Sequence, residues 1–359
     1  MVSITAQPFP VLSARGTLRS QWAVTQTIPF PGELRSNAEL VRASAIVARE
    51  QAGVVEDQLV LEVKAAYFQL IQVRDRLALA DEFEVRLSDF EESAAALYEV
   101  GSGSQHAILK AQIQRSQLDR VRLDLEAARS TARQKIARLL SPDSARIRLD
   151  VTFESEIDTY LVVPDSLISS AIANRSDLRT LRALEDEAVA RGLVAQKQNK
   201  PDFSLGLTYI DVGRSDLIPS ANGRDALGVM FGVRIPLWRK PKQARILESS
   251  LAVKYSRYKL IDQTGVVETK VQDIIQQLHL VDEQISLLVD DLIPKAEFSF
   301  EATLSSYTTG RTDFLDLLDS ERTLYEMSNI LVVSRFRRRV TIAQLEHALG
   351  ITWMHELSN

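Results

Sequence analysis

The chain has 359 residues, and 43 basic against 48 acidic side chains leave a net charge of −5. It has no cysteine, which excludes disulfides, thiolate metal sites and thiol catalysis, and its mild acidity gives no general reason to expect nucleic-acid binding. Only 14 glycines and 11 prolines punctuate a chain that is 45% apolar, so long, folded, uninterrupted elements are expected.

No run of about 18 apolar residues occurs, so no transmembrane helix is predicted. The opening Met1-Val2-Ser3-Ile4-Thr5-Ala6-Gln7-Pro8 lacks the basic and apolar regions of a signal peptide. Val2 to Gln7 reads as a poor strand. A better one follows, with Trp22, Val24, Ile28 and Phe30 opposing Gln21, Ala23, Thr25 and Thr27. From about Glu33 to Leu97 there is no proline and only Gly53. That predicts a helix of about 65 residues, about 100 Å long at 1.5 Å per residue. Val60, Val63, Tyr67, Leu70, Val73 and Leu77 form its apolar stripe and agree only loosely with heptads. A turn at Gly101 leads to a return helix, about Ser104 to Leu140. Another helix is expected from about Pro164 to Asn199. Two alternating strands follow: Phe203, Leu205, Leu207 and Tyr209 share one face, as do Leu227, Val229, Phe231, Val233, Ile235 and Leu237. A second long helical stretch, about Lys242 to Ser306 with Gly265 inside it, turns at Gly310 into a return helix, Thr312 to Leu349.

This grammar is a duplication with an offset of about 208 residues. Ile28-Pro29-Phe30 recurs as Ile235-Pro236-Leu237, and Glu62-Val63-Lys64 as Glu268-Thr269-Lys270. Tyr98-Glu99-Val100-Gly101 recurs as Tyr307-Thr308-Thr309-Gly310, and Leu109, Arg129 and Leu140 return as Leu318, Arg338 and Leu349. The repeats are placed at residues 1–149 and 150–359. Taken singly, each strand suits a half-buried soluble sheet as well as a membrane barrel. Trp22, Tyr209 and Trp238 suit membrane–water boundaries. Four strands cannot close a membrane barrel, whose smallest forms have about eight, and an open edge in lipid leaves backbone groups unsatisfied. Strands that span a membrane here require several chains in one barrel; three would give about twelve strands.

On these residues the chain resembles the TolC-type outer-membrane efflux family along nearly its whole length. Tyr307-Thr308-Thr309-Gly310-Arg311-Thr312-Asp313-Phe314-Leu315-Asp316-Leu317-Leu318-Asp319 is similar to the family's second periplasmic tip, and Tyr98 to Leu109 is its partner. Asn174-Arg175-Ser176-Asp177-Leu178 resembles the family's Asn-Arg-Pro-Asp-Leu signature, with Ser176 in place of proline. The resemblance implies a mostly α fold with a small β part: a trimeric α-helical tunnel on a shared twelve-stranded β-barrel in the outer membrane. The helices would project into the periplasm, and a region near Asp150 to Ser169 would girdle them. It implies a passive exit duct of a tripartite efflux or type I secretion system. The partners would be a periplasmic adaptor, an inner-membrane pump of RND, ABC or MFS type, and outer-membrane lipid. The second repeat has a helix before its strands and the first has none, so an opening helix and a signal peptide are expected to be missing from this sequence.

Asp313, Asp316 and Asp319 share one helical face. By the resemblance Asp316 and Asp319 line the closed tunnel mouth, where a trimer would make rings of carboxylates. Read alone, they suit a solvated acidic helix start. Val100-Gly101-Ser102 and Thr309-Gly310-Arg311 resemble the adaptor-contacting tips, and glycine suits a helix end with positive φ. Tyr307 matches the family's latch tyrosine, but Ala107 stands where its aspartate partner would be, leaving Lys110 and Arg311 as replacement charges. His106, His279, His347 and His355 are scattered, so no metal site is expected. Arg335, Arg337, Arg338 and Arg339 read as a solvated face or as partners of acids. No cofactor motif, phosphate loop or acid–base pair is present. Against the duct stand a periplasmic adaptor, disfavoured by two tandem hairpins, and a coiled-coil scaffold, which leaves the strands unexplained; an enzyme is a distant fourth.

Overall fold

The structure, a computed structural model, describes residues 2–13, 16–140, 164–214, 223–235 and 239–351. In chain order the elements are strands β1 (Val2–Ser13) and β2 (Gly16–Ile28), helices α1 (Glu33–Glu99), α2 (Gln105–Leu140), α3 (Pro164–Asn174) and α4 (Ser176–Lys197), strands β3 (Asp202–Gly213) and β4 (Ala226–Arg234), and helices α5 (Arg239–Leu287), α6 (Ile293–Thr308) and α7 (Phe314–Leu349). The fold is mostly helical with one small sheet. The boundary expected at 149/150, residues 150–163 of the expected girdle, and Trp238 lie outside the described residues. No helix among them is long and apolar enough to cross a membrane.

Three expectations change. The strand expected over six residues at the start covers twelve. The helix expected before β3 is two helices, broken at Arg175. The second long stretch is not one regular helix, because Pro294 has no N–H to donate and its ring crowds the preceding turn. The chain absorbs this in a π turn, Leu288–Leu292, with the proline in the first turn of α6.

The chain forms two compact units. The first joins Met1–Gln51 to Arg179–Asp262. It holds an antiparallel sheet in the order β1-β2-β3-β4. Pairing carries the alternation straight across the sheet: Val24 lies opposite Leu207 and Leu207 opposite Val229; Trp22 lies opposite Tyr209 and Tyr209 opposite Leu227. The other face is small and polar apart from Ile210 and Met230, as in the row Thr27, Ser204, Gly232. In this unit α4 is bound to α1 by Ser44–Glu187 at 3.1 Å and Arg179–Glu50 at 2.7 Å, and to α5 by Arg257–Glu185 at 3.0 Å.

The second unit joins Ala52–Leu178 to Gln263–Asn359. Its core follows strict heptads. Ala66, Val73, Ala80, Leu87 and Ala94 are all buried on α1, and Ala111, Leu118, Leu125 and Ala132 on α2. A seven-residue repeat under-winds the helix relative to 3.6 residues per turn and supercoils it to the left. The loose heptad expected from large apolar residues is therefore corrected: alanines occupy five of these nine positions, letting the helices approach closely. One cluster in this unit packs Phe83, Leu87 and Phe90 of α1 and Leu118 of α2 with Phe314, Leu317 and Leu318 of α7; Phe300 and Leu304 of α6 lean on it. Each fully buried side chain of this size is worth about 1.5–3 kcal/mol.

Candidate functional site: the paired helix tips

The two tips end in the same hydrogen-bond pattern, 209 residues apart. At the first, Ser102 N donates to Leu97 O at 2.9 Å and Gly101 N to Tyr98 O at 3.0 Å; at the second, Arg311 N donates to Ser306 O and Gly310 N to Tyr307 O, both at 2.9 Å. These are Schellman caps, which require a left-handed residue, and Gly101 and Gly310 supply it with φ of 75° and 69°. A Cβ added to either glycine would meet nothing within 4 Å. Val100 is 76% exposed, and Ser102, Thr309 and Arg311 are exposed as well. Ser102 Oγ donates to Leu97 O at 3.2 Å, and Arg311 Nε donates to Thr309 Oγ1 at 3.0 Å. Each tip is thus a rigid knob with polar and apolar groups facing outward.

Behind the second tip, Asp313 caps α7 and accepts from Phe314 N at 2.7 Å. Asp316 accepts from Thr312 Oγ1 at 2.7 Å. Asp313, Asp316 and Asp319 are all exposed, while Phe314, Leu317 and Leu318 are buried between them. The first turn of α7 therefore turns its apolar side to the core and its acids outward. Arg322, one turn further, pairs with Glu326 at 2.9 Å. Tyr307 is half-buried and packs edge-on against Phe314, with ring centroids 5.8 Å apart. Burial, and then the charge of Asp313, hold its hydroxyl above the ordinary value. Ala107 is buried at the start of α2.

Of two further polar arrangements, the first went unnoticed in the sequence and the second was read there only as a motif. Glu321 lies on α7 with its side chain fully buried, and its Oε1 accepts from Arg86 of α1 at 2.9 Å. Its Oε2 is buried without a partner among the described residues. Arg86 also pairs with Glu82 and lies over the Phe300 ring of α6, 5.7 Å from its centroid. Burial pushes the Glu321 carboxyl above its ordinary value; Arg86 opposes this and Glu82 adds to it. The signal was there: Glu321 stands one heptad after Phe314, at a core position.

The second arrangement is the Asn174–Leu178 segment. Arg175 makes a two-pronged bond to Asp177, at 2.9 and 2.7 Å, and reaches Ala348 O at 3.1 Å. Ser176 Oγ donates to Asp57 at 2.6 Å, and Gln263 donates to Asp177 at 3.4 Å. Burial alone would raise the Asp177 carboxyl, but Arg175, Leu178 N–H and Gln263 outweigh it and hold it below the ordinary value. A Cβ on Gly350, the residue that ends α7, would lie 2.8 Å from Arg175 N. The motif thus ties α1, α4, α5 and α7 together within the second unit. Nearby Lys64 of α1 pairs with Glu346 of α7. No cluster of metal-ligating side chains occurs among the described residues.

No family model matches the chain. Sequence relatives do. It is 21% identical over 324 residues to the outer membrane protein TolC of Vibrio cholerae, covering 84% of this chain and 70% of that protein. It is 23% identical over 332 residues to the outer membrane efflux protein BepC of Brucella suis, covering 89% and 69%. It is 20% identical over 332 residues to the cation efflux system protein CusC of Escherichia coli, covering 91% and 71%. Among solved structures it superposes on the outer-membrane channel OprN with a TM-score of 0.81 at 19% identity, covering 98% of this chain and 81% of that one. On VceC of Vibrio cholerae the TM-score is 0.80 at 16% identity, covering 98% and 87%.

Proposed function

Starting from this resemblance to the TolC-type outer-membrane channels, in sequence and in fold, we propose that the chain is one third of an outer-membrane exit duct. Three copies give twelve strands to one barrel, with the helices projecting into the periplasm as a tunnel. The repeats at 1–149 and 150–359 each contribute a strand pair and a helical hairpin to the wall. The duct is passive. A periplasmic adaptor docks on Val100, Gly101, Ser102, Thr309, Gly310 and Arg311, and an inner-membrane pump supplies the energy; the chain carries out no enzymatic chemistry.

One observation carries this reading. An apolar face runs across the sheet and is open to its surroundings: Val24 is 52% exposed, Leu207 50% and Val229 74%. Both outer strands, β1 and β4, have an edge unpaired among the described residues. A soluble protein covers such a face and blunts such edges. In lipid the face is satisfied at once, and the edges are satisfied only when neighbouring chains close the barrel.

In this assembly the outward acids of α7 meet near the axis. Asp316 and Asp319 form two rings of three carboxylates, with Asp313 at the rim, and like charges held close repel and draw cations. Tyr307, edge-on to Phe314, sets where the first turn of α7 lies instead of latching to residue 107, where Ala107 offers no acceptor. Native mass spectrometry in detergent on the full-length protein is expected to give three subunits; one or two would refute the duct. In a planar bilayer, the double variant Asp316→Ala, Asp319→Ala is expected to conduct more than the wild type, and unchanged conductance would remove the acidic constriction.

A further inference from the structure

The exposed side of α7 keeps the same seven-residue spacing as the buried side. Asp316, Thr323, Ile330 and Arg337 are each exposed and stand seven apart, beside buried Leu317 and Leu324. Residues in strict heptads stay on one side of a left-handed supercoil. On a straight helix of 3.6 residues per turn, the step from Asp319 to Arg337 is about five full turns. Either winding returns Arg337 to the side that bears the acids, about 27 Å beyond Asp319 along α7.

At that level the groove beside Arg337 has no acidic side chain in its lining. Arg337 lines a groove with Gln277, Leu280 and Gln284 of α5 and Thr341 and Gln344 of α7. No carboxylate pairs with it among the described residues, whereas its neighbour Arg338 donates to Asp282 at 2.6 Å. Burial first, and then Arg335, Arg74 and Arg338, hold the Arg339 guanidinium below its ordinary value, against the opposing pull of Asp75.

Resting on the trimeric duct proposed above, we infer that Arg337 of the three subunits forms an anion-binding ring inside the tunnel, in series with the acidic mouth. Guanidinium forks suit phosphate and carboxylate groups, which they grip by two parallel bonds. The class of solute served is therefore an anion bearing such oxygens. A separation of about 27 Å from the nearer acidic ring exceeds the Debye length of about 8 Å at physiological salt, so the acidic mouth and the arginine ring act independently. Cations are favoured at one and anions at the other.

The test uses the full-length trimer in a planar bilayer, with a KCl gradient and tripolyphosphate as the probe. Arg337→Gln is expected to raise the potassium-to-chloride permeability ratio at least about twofold and to weaken current block by tripolyphosphate about tenfold, the scale of one charge-assisted hydrogen bond. Arg337→Lys keeps the permeability ratio and weakens the block, because the fork is lost. Asp316→Asn with Asp319→Asn lowers the ratio and leaves the block within about twofold. If Arg337→Gln trimers show wild-type ratio and block, the inference is overturned. It is also overturned if Arg337→Gln releases monomers, which would put the guanidinium in a subunit contact. A wild-type protein that conducts no ions defeats the duct itself, a distinct result.

Discussion

Glu321 has no exposed surface, sits among phenylalanines and leucines, and keeps one carboxylate oxygen without a partner. Among the described residues its bonded counterweight is Arg86, whose side chain is 34% exposed. Removing one member of a buried pair leaves the other uncompensated, at a cost of about 3 kcal/mol. The sign of the pH dependence follows. The Glu321 carboxyl is raised in the folded chain, so its contribution to stability is present below the ordinary value near 4.5 and is lost as pH rises through the folded value. Arg86 opposes that rise, so Arg86→Met should steepen the loss. The melting temperature of the variant in detergent is expected to lie near wild type at pH 5 and well below it at pH 8, and Glu321→Gln in the same background should erase the difference. An equal gap at both pH values would show that Arg86 acts by packing alone. This pair also marks what single residues reveal in a sequence. Asp313, Asp316, Asp319 and the tip glycines carry their signal in local spacing, whereas the heptad marks Glu321 only as a core position and its partner, 235 residues away, is in no local pattern.

Helices and strands were more legible than their interruptions. The alternation in β2, β3 and β4, and the long proline-poor runs of α1, α2 and α7, follow from periodicity and predicted each element within a few residues. The break at Arg175 and the π turn before Pro294 depend on where the backbone finds hydrogen bonds, which composition does not display. The heptads were hidden by alanine, whose small side chain seldom registers as a stripe yet sets the spacing of packed helices. The tips give the test at this scale. Gly310 has φ of 69° and open space where a side chain would project. An ordinary L-residue there costs about 1–2 kcal/mol, and asparagine less. Gly310→Asn and Gly310→Trp should both yield trimers, since a Cβ at this position meets nothing within 4 Å. Gly310→Asn should support efflux in a complementation assay, while Gly310→Trp should not, because its ring would occupy the surface proposed for the adaptor. If Gly310→Trp loses the trimer instead, the glycine serves the cap alone. Gly103 is the contrast: a Cβ there would lie 2.8 Å from Tyr98 N, so Gly103→Ala is expected to lower stability whether or not an adaptor docks.

The assembled state is where a single chain says least and its surface says most. Nothing among the described residues closes the sheet, and its two faces differ as those of a membrane barrel would. The row Val24, Leu207, Val229 crosses its middle on the apolar side, and one residue along each strand the row Ala23, Thr208, Gly228 crosses it on the other. If the first face meets lipid and the second meets water inside a barrel, the two rows must respond oppositely to charge. An arginine at mid-membrane on the lipid face costs about 2–4 kcal/mol per chain, repeated in each subunit, whereas on the lumen face it stays hydrated. Leu207→Arg is therefore expected to prevent insertion, leaving no trimer in the detergent-extracted membrane fraction by native mass spectrometry. Thr208→Arg, one residue away and on the same strand, should insert and assemble as wild type. A soluble sheet packed on a partner through its apolar face would also reject Leu207→Arg, but the wild-type protein would then appear in the aqueous fraction. Equal behaviour of the two variants would mean that the faces are not divided between lipid and water, and the barrel would have to be abandoned.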